Sequence, residues 1–96
     1  MKVFFSTGVG DYLRKERDHE EEGILYLLKE LSRLDSEGEK ALNKIPKAQL
    51  EDEIYFLSIG DFIVTATKRP NGDFYITDIT KGTLPKESFR RIGEGL

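Results

Sequence analysis

The sequence predicts an α+β fold: a strand, a helical segment, then a three-stranded antiparallel meander and a short C-terminal helix. Two observations carry this reading. Apolar residues recur at helical spacing between Ile24 and Leu34, and from Glu53 onward they recur at every second position. Turn residues, Gly60-Asp61 and Arg69-Pro70-Asn71-Gly72, punctuate that second region at strand-length intervals. A chain of 96 residues has room for one core, so residues 1–96 are read as a single domain.

Residues 2–6 (Lys-Val-Phe-Phe-Ser) are rich in β-formers and form the first strand, closed by Thr7-Gly8 and Gly10. Asp11 is placed to cap a helix start near the apolar patch Val9, Tyr12 and Leu13, which belongs either to a short first helix or to the poorly packed first half of a longer one. The strongest helix follows. Ile24, Leu27, Leu28, Leu31 and Leu34 make one apolar stripe, while Lys29, Glu30 and Arg33 sit off it. Asp35-Ser36 and Gly38 end this helix, and a third partial helix over residues 39–44 is stopped by Pro46. The stripe spans too few heptads for a coiled-coil seam, so it is read as the face that covers the sheet, against Phe62, Val64 or Phe56.

The meander comprises residues 54–58, 62–67 and 73–79. Gly60-Asp61 fits a tight Gly-X hairpin. Residues 69–72 fit a type I turn with Pro70 second and Gly72 free to take positive φ in a bulge. Alternation places Phe62, Val64 and Ala66 on one face and Ile63, Thr65 and Thr67 on the other. Phe74 and Ile76 share a face opposite Tyr75 and Thr77. The face bearing the threonines and Tyr75 is the one left for solvent or a partner. Pro85 fits the first turn of the final helix, which carries Phe89 and Ile92.

Composition narrows the function. The absence of cysteine removes disulfides and cysteine-based zinc sites. The longest apolar run, residues 24–28, is far too short to cross a bilayer, and the N-terminus lacks a secretory pattern; no membrane partner is expected, and cytoplasm is the default location. The net charge of −3 is uneven. Residues 16–22 hold five acids against Arg17, and Glu51-Asp52-Glu53 is a second acidic knot. Only the stretch from Lys81 to Arg91 is locally basic. Polyanion binders are usually basic overall, so composition favours a protein partner.

Four motifs carry possible chemistry. Gly8-Val9-Gly10 begins like a phosphate loop but lacks the third glycine and the Lys-Ser/Thr pair, and reads as a strand-to-helix turn. His19, flanked on a helix by Glu16 and Glu22, lacks the ligand set of a transition-metal site; no metal or other cofactor is expected. The five serines, Ser6, Ser32, Ser36, Ser58 and Ser88, have this one histidine as their only possible histidine base, and no nucleophile elbow occurs. Lys68, Arg69, Lys81, Arg90 and Arg91 are candidates to line one basic edge that contacts RNA phosphates or an acidic partner.

From Gly38 onward the order of residues resembles the RelE/ParE superfamily of toxin–antitoxin toxins, particularly its HigB-like, phage-derived branch. The resembling pieces are Leu42-Asn43-Lys44-Ile45-Pro46 before Leu50, and Glu53-Ile54-Tyr55-Phe56-Leu57 leading to Ile59-Gly60-Asp61-Phe62. Tyr75-Ile76-Thr77-Asp78-Ile79-Thr80-Lys81 and Thr83-Leu84-Pro85-Lys86-Glu87-Ser88-Phe89 follow. The resemblance implies two helices on a twisted, mainly antiparallel sheet, an antitoxin-type protein partner, and the ribosome or RNA as a target. It also implies an arginine at the position held here by Ile63, and cations on the second strand of the family where Tyr55 and Leu57 stand. Lys81 alone matches a basic position of the family. Metal-free RNA cleavage needs a base and cations that stabilise phosphorane-like charge, and an apolar residue supplies neither. The expectation is therefore a RelE/ParE-like protein with weak or absent mRNA interferase activity. The alternatives are a non-catalytic interaction module sharing the fold and an unrelated α+β domain that binds a small ligand.

Overall fold

The computed structural model describes residues 1–51 and 53–82. The helix expected at Pro85 lies outside the described residues, as do Arg90 and Arg91. In chain order the elements are β1 (Val3–Phe5), α1 (Thr7–Asp18), α2 (Ile24–Glu37), α3 (Glu39–Leu42), β2 (Lys47–Glu51), β3 (Ile54–Ile59), β4 (Phe62–Lys68) and β5 (Phe74–Lys81). The class is α+β. Its sheet has five strands in the order β1-β5-β4-β3-β2. The helices carry the chain from β1 at one edge to β2 at the other. An antiparallel meander then returns, so that β5 lies beside β1 and parallel to it, with Val3 opposite Phe74.

Local chemistry sets the helix limits. Ser6 has extended backbone and its hydroxyl accepts from the Val9 amide at 3.2 Å, so Ser6 caps α1 and Asp11 does not. Gly8 and Gly10 consequently sit in the first helical turns rather than in the preceding turn. Val9 and Leu13 face the core. The stripe on α2 is buried as its spacing dictates: Ile24, Leu27, Leu31 and Leu34 are inside, with Leu28 only partly covered. Gly38 takes φ +61 and its amide bonds to the Leu34 carbonyl at 3.0 Å, ending α2. Ala41, Leu42 and Ile45 then seal the core beyond it.

In the sheet, Phe62, Val64, Ala66, Phe74 and Ile76 are fully buried on the helix-facing side, together with Leu57. The β3–β4 loop is two residues long, Gly60-Asp61, with positive φ at Gly60 alone, as a Gly-first hairpin requires. Residues 69–72 form the expected turn: the Gly72 amide bonds to the Arg69 carbonyl at 2.8 Å and Gly72 has φ +91. Thr77 is an extra residue in β5, because Thr65 opposes Asp78 while Ala66 opposes Ile76. This bulge shifts the alternation by one, which is why Ile79 rather than Asp78 returns to the core.

Two readings of the sequence require correction. Phe56 pairs with Thr65 and Ala48 on the face away from the helices and belongs to no part of the main core, so it does not support the leucine stripe. The meander has four strands, not three, because residues 47–51 form a further strand, β2, paired with β3. Lys47-Ala48-Gln49-Leu50-Glu51 lacks β-branched residues, and a bulge at Leu50 breaks its alternation and leaves Leu50 exposed. Such charged, bulged segments suit a sheet edge.

Removing the fully buried Leu34 side chain by Leu34→Ala should cost about 2–5 kcal/mol in chemical denaturation, while Phe56→Ala on the open face should cost distinctly less. A Cβ at Gly8 or Gly10 meets nothing within 4 Å, and neither has positive φ. Gly8→Ala and Gly10→Ala should therefore each stabilise the protein by about 0.5–1 kcal/mol, read as a rise in the denaturation midpoint.

Candidate functional site

The described basic residues do not share an edge. Lys68 and Arg69 lie at the end of the β4–β5 hairpin, whereas Lys81 opposes Phe62 at the other end of the same ladder. At about 3.3 Å per residue the two ends are roughly 20 Å apart. Each lysine already has a carboxylate. Lys68 Nζ lies 2.8 Å from Glu39 Oε1 of α3, and Lys81 Nζ donates to Glu21 Oε1 in the α1–α2 turn. These hydrogen bonds hold both ammonium groups above the ordinary lysine range. What the pairs contribute is thus complete below the ordinary lysine pKa and is lost only as pH rises through the raised values, far above neutrality. Both pairs are solvent-exposed, so their weight in stability is small.

Arg69 behaves differently. It faces the open side of the sheet, where its guanidinium carbon lies 5.1 Å from the centre of the Tyr75 ring. On the same side of the sheet, running away from Arg69 along the strands, stand Phe4, Thr67, Thr65, Phe56 and Ile63, placed there by register and alternation. Phe4 is 46% exposed, and no described helix covers this side. The row through Ile63 continues with Ser58 on β3 and Thr80 on β5, neither of which carries charge. Lys81 is on the helix-facing side, because it opposes the buried Phe62 and reaches Glu21. Ile63 and Lys81 therefore sit on opposite faces of the sheet.

The remaining candidates are resolved by their surroundings. His19 follows the last residue of α1, where its amide bonds to the Lys15 carbonyl at 3.0 Å, and Glu22 lies beyond the helix, so the two do not share a helical face. Among the described residues no group of three or more His, Cys, Asp or Glu could hold a metal ion. Ser6 is a helix cap rather than a nucleophile. Among the described residues, every displaced titration moves away from neutrality. Burial, with Glu16 and Glu21 nearby, raises Tyr12, and Arg33 holds Glu37 below the usual carboxylate range through a 2.9 Å hydrogen bond. A general base at neutral pH needs the opposite displacement.

One surface was not anticipated. Leu25 and Tyr26, off the α2 stripe, are 71% and 53% exposed at the start of that helix. Beside them lies a cavity of about 590 Å³, lined also by Arg17 and residues 20–24. The available signal was the position of these two residues outside the buried spacing. Among the described residues no helix is long and apolar enough to cross a membrane. No family model, no curated protein and no solved structure matches the chain.

With Lys68 and Lys81 at opposite ends of the sheet and each paired with a carboxylate, the protein should bind RNA and duplex DNA weakly and without sequence preference, and lose them at physiological ionic strength. Titration at low and moderate salt checks this; tight binding that survives the higher salt would restore a nucleic-acid role.

Proposed function

We propose that the chain is a RelE/ParE-like protein of toxin–antitoxin type that works through contact with an antitoxin-type protein partner and has little or no mRNA interferase activity. Two long helices on one side of a mainly antiparallel sheet support this reading. The observation that carries it is the separation of Ile63 and Lys81 by the sheet. Cleavage through the RNA 2′-hydroxyl needs a base on one side of the scissile phosphate and a cation against its developing charge. On the open face the position that the resemblance assigns to arginine is isoleucine. The one matching lysine points the other way, into a carboxylate of the α1–α2 turn.

A non-catalytic interaction module is the second reading. It is favoured by the uncovered face bearing Phe4, Tyr75 and Phe56, since apolar sheet surface is ordinarily retained for a partner.

On translating ribosomes the purified protein should leave mRNA intact. Efficient cleavage there, abolished by Lys81→Ala, would show that the remaining cations suffice. Inducible expression, with and without any small gene beside it, separates the two readings: growth arrest relieved by that gene supports the toxin–antitoxin reading, and harmless expression supports the module.

A further inference from the structure

We infer that the end of the molecule built from the α1–α2 turn and the first turn of α2 is a docking site for a basic peptide segment of a partner protein, anchored by one apolar side chain. The inference rests on the reading of the chain as a protein that works through a partner, and it names the chemistry that partner presents.

The site is defined by three things brought together at one end of the sheet. The first is apolar surface that the fold does not use. Ile24 and Leu27 satisfy the core, whereas Leu25 and Tyr26 between them point outward. The edge of the Tyr26 ring rests on the β3–β4 turn, where a Cβ on Gly60 would come within 3.1 Å of it. Tyr26 is thus held in place on one side and open on the other. The second is concavity. A cavity of about 590 Å³ lies against these side chains and the turn, large enough to take an inserted side chain.

The third is charge. Glu20 and Glu22 are exposed and make no ion pair among the described residues, while Glu21 is taken by Lys81. Arg17 is offset by Asp18 at 3.7 Å, so the rim is net negative. Rigidity accompanies the charge. Glu20 has φ +53, the only positive φ at a non-glycine among the described residues. The turn is braced by amide bonds from Glu20 to Arg17, Glu21 to Glu16 and Ile24 to Glu21, all within 3.1 Å. The carboxylates are therefore presented by backbone that does not need to order on binding, which reduces the entropic cost of association. An apolar floor with an acidic rim is complementary to a segment with Lys or Arg on either side of one Leu or Phe.

The test uses the full chain and a synthetic peptide of Lys and Arg residues around one central Leu, with fluorescence anisotropy and amide shift mapping. Controls replace the peptide's Leu by Ser or its cations by Glu. Binding is expected at low salt, with shifts centred on residues 20–26. Leu25→Ser should weaken it about tenfold, the equivalent of losing part of one buried apolar side chain. The double charge reversal Glu20→Lys/Glu22→Lys should weaken it by about tenfold or more, mainly through slower association. All three residues are exposed, so circular dichroism should show the fold retained. No binding, binding indifferent to these substitutions, or shifts confined to the open sheet face would overturn the inference. Self-association of the chain that Leu25→Ser abolishes would also overturn it, by making a second copy the occupant. Failure of the functional reading is distinguishable: it would show as mRNA cleavage on ribosomes, whatever the peptide titration gives.

Discussion

Burial of one stripe of α2 in a common core with the inner faces of β3, β4 and β5 is the constraint on which the other elements depend. Leu27 and Leu34 are wholly excluded from water, as are Phe62, Val64, Phe74 and Ile76. Full burial of each such side chain is worth about 1.5–3 kcal/mol, against a net stability of roughly 5–15 kcal/mol for a domain of ordinary size. A slip of one residue in any central strand would turn its apolar set outward, so the same contact fixes strand register. It also explains why α1 tolerates so much charge. That helix buries only Val9 and Leu13 and is held by its cap and by its neighbours rather than by a wide apolar face.

The pattern of residues was legible wherever side-chain period and turn chemistry agreed. The α2 stripe, the Gly60 hairpin and the Pro70-Gly72 turn each had a mechanism visible in the chain, and each is present. Legibility failed where backbone pairing prevails over composition. Lys47 to Glu51 forms a strand because β3 offers it an unpaired edge, a fact that no local feature of those five residues reveals. Asp11 reads as a cap because the glycines at 8 and 10 read as a turn, and Ser6 reads as the end of the first strand. Ser6 prevails because it follows directly from a strand whose last hydrogen bond, from its own amide to Ile76, delivers it in extended conformation.

The candidate site was less legible for a related reason. A list of basic residues has no geometry, and the β4–β5 ladder sends Lys68 and Lys81 to opposite ends while alternation sends Arg69 and Lys81 to opposite faces. Carboxylates from the helical layer then claim both lysines. The resemblance to RelE/ParE toxins concerned the order of residues along the strands, and Ile63 stood out there. That Lys81 faces away from Ile63 required the register. The exposed pair Leu25 and Tyr26 was hidden inside a run of apolar residues whose other members are core.

The parallel pairing of β1 with β5 bears on how the chain is made. Residues 3–5 leave the ribosome long before their partners, residues 74–76, which are among the last of the described chain to be synthesised. Until then β1 has no neighbour in the sheet, and Phe4 and Phe5 are left without the strand that they will flank. Contacts so distant in sequence are slow to form, because a long loop must close before they are rewarded. The nascent protein can assemble its helices and the β2–β3–β4 part of the meander during translation. The sheet becomes complete only after nearly all of the described chain has emerged, when β5 arrives and fills the space between the oldest strand and the rest.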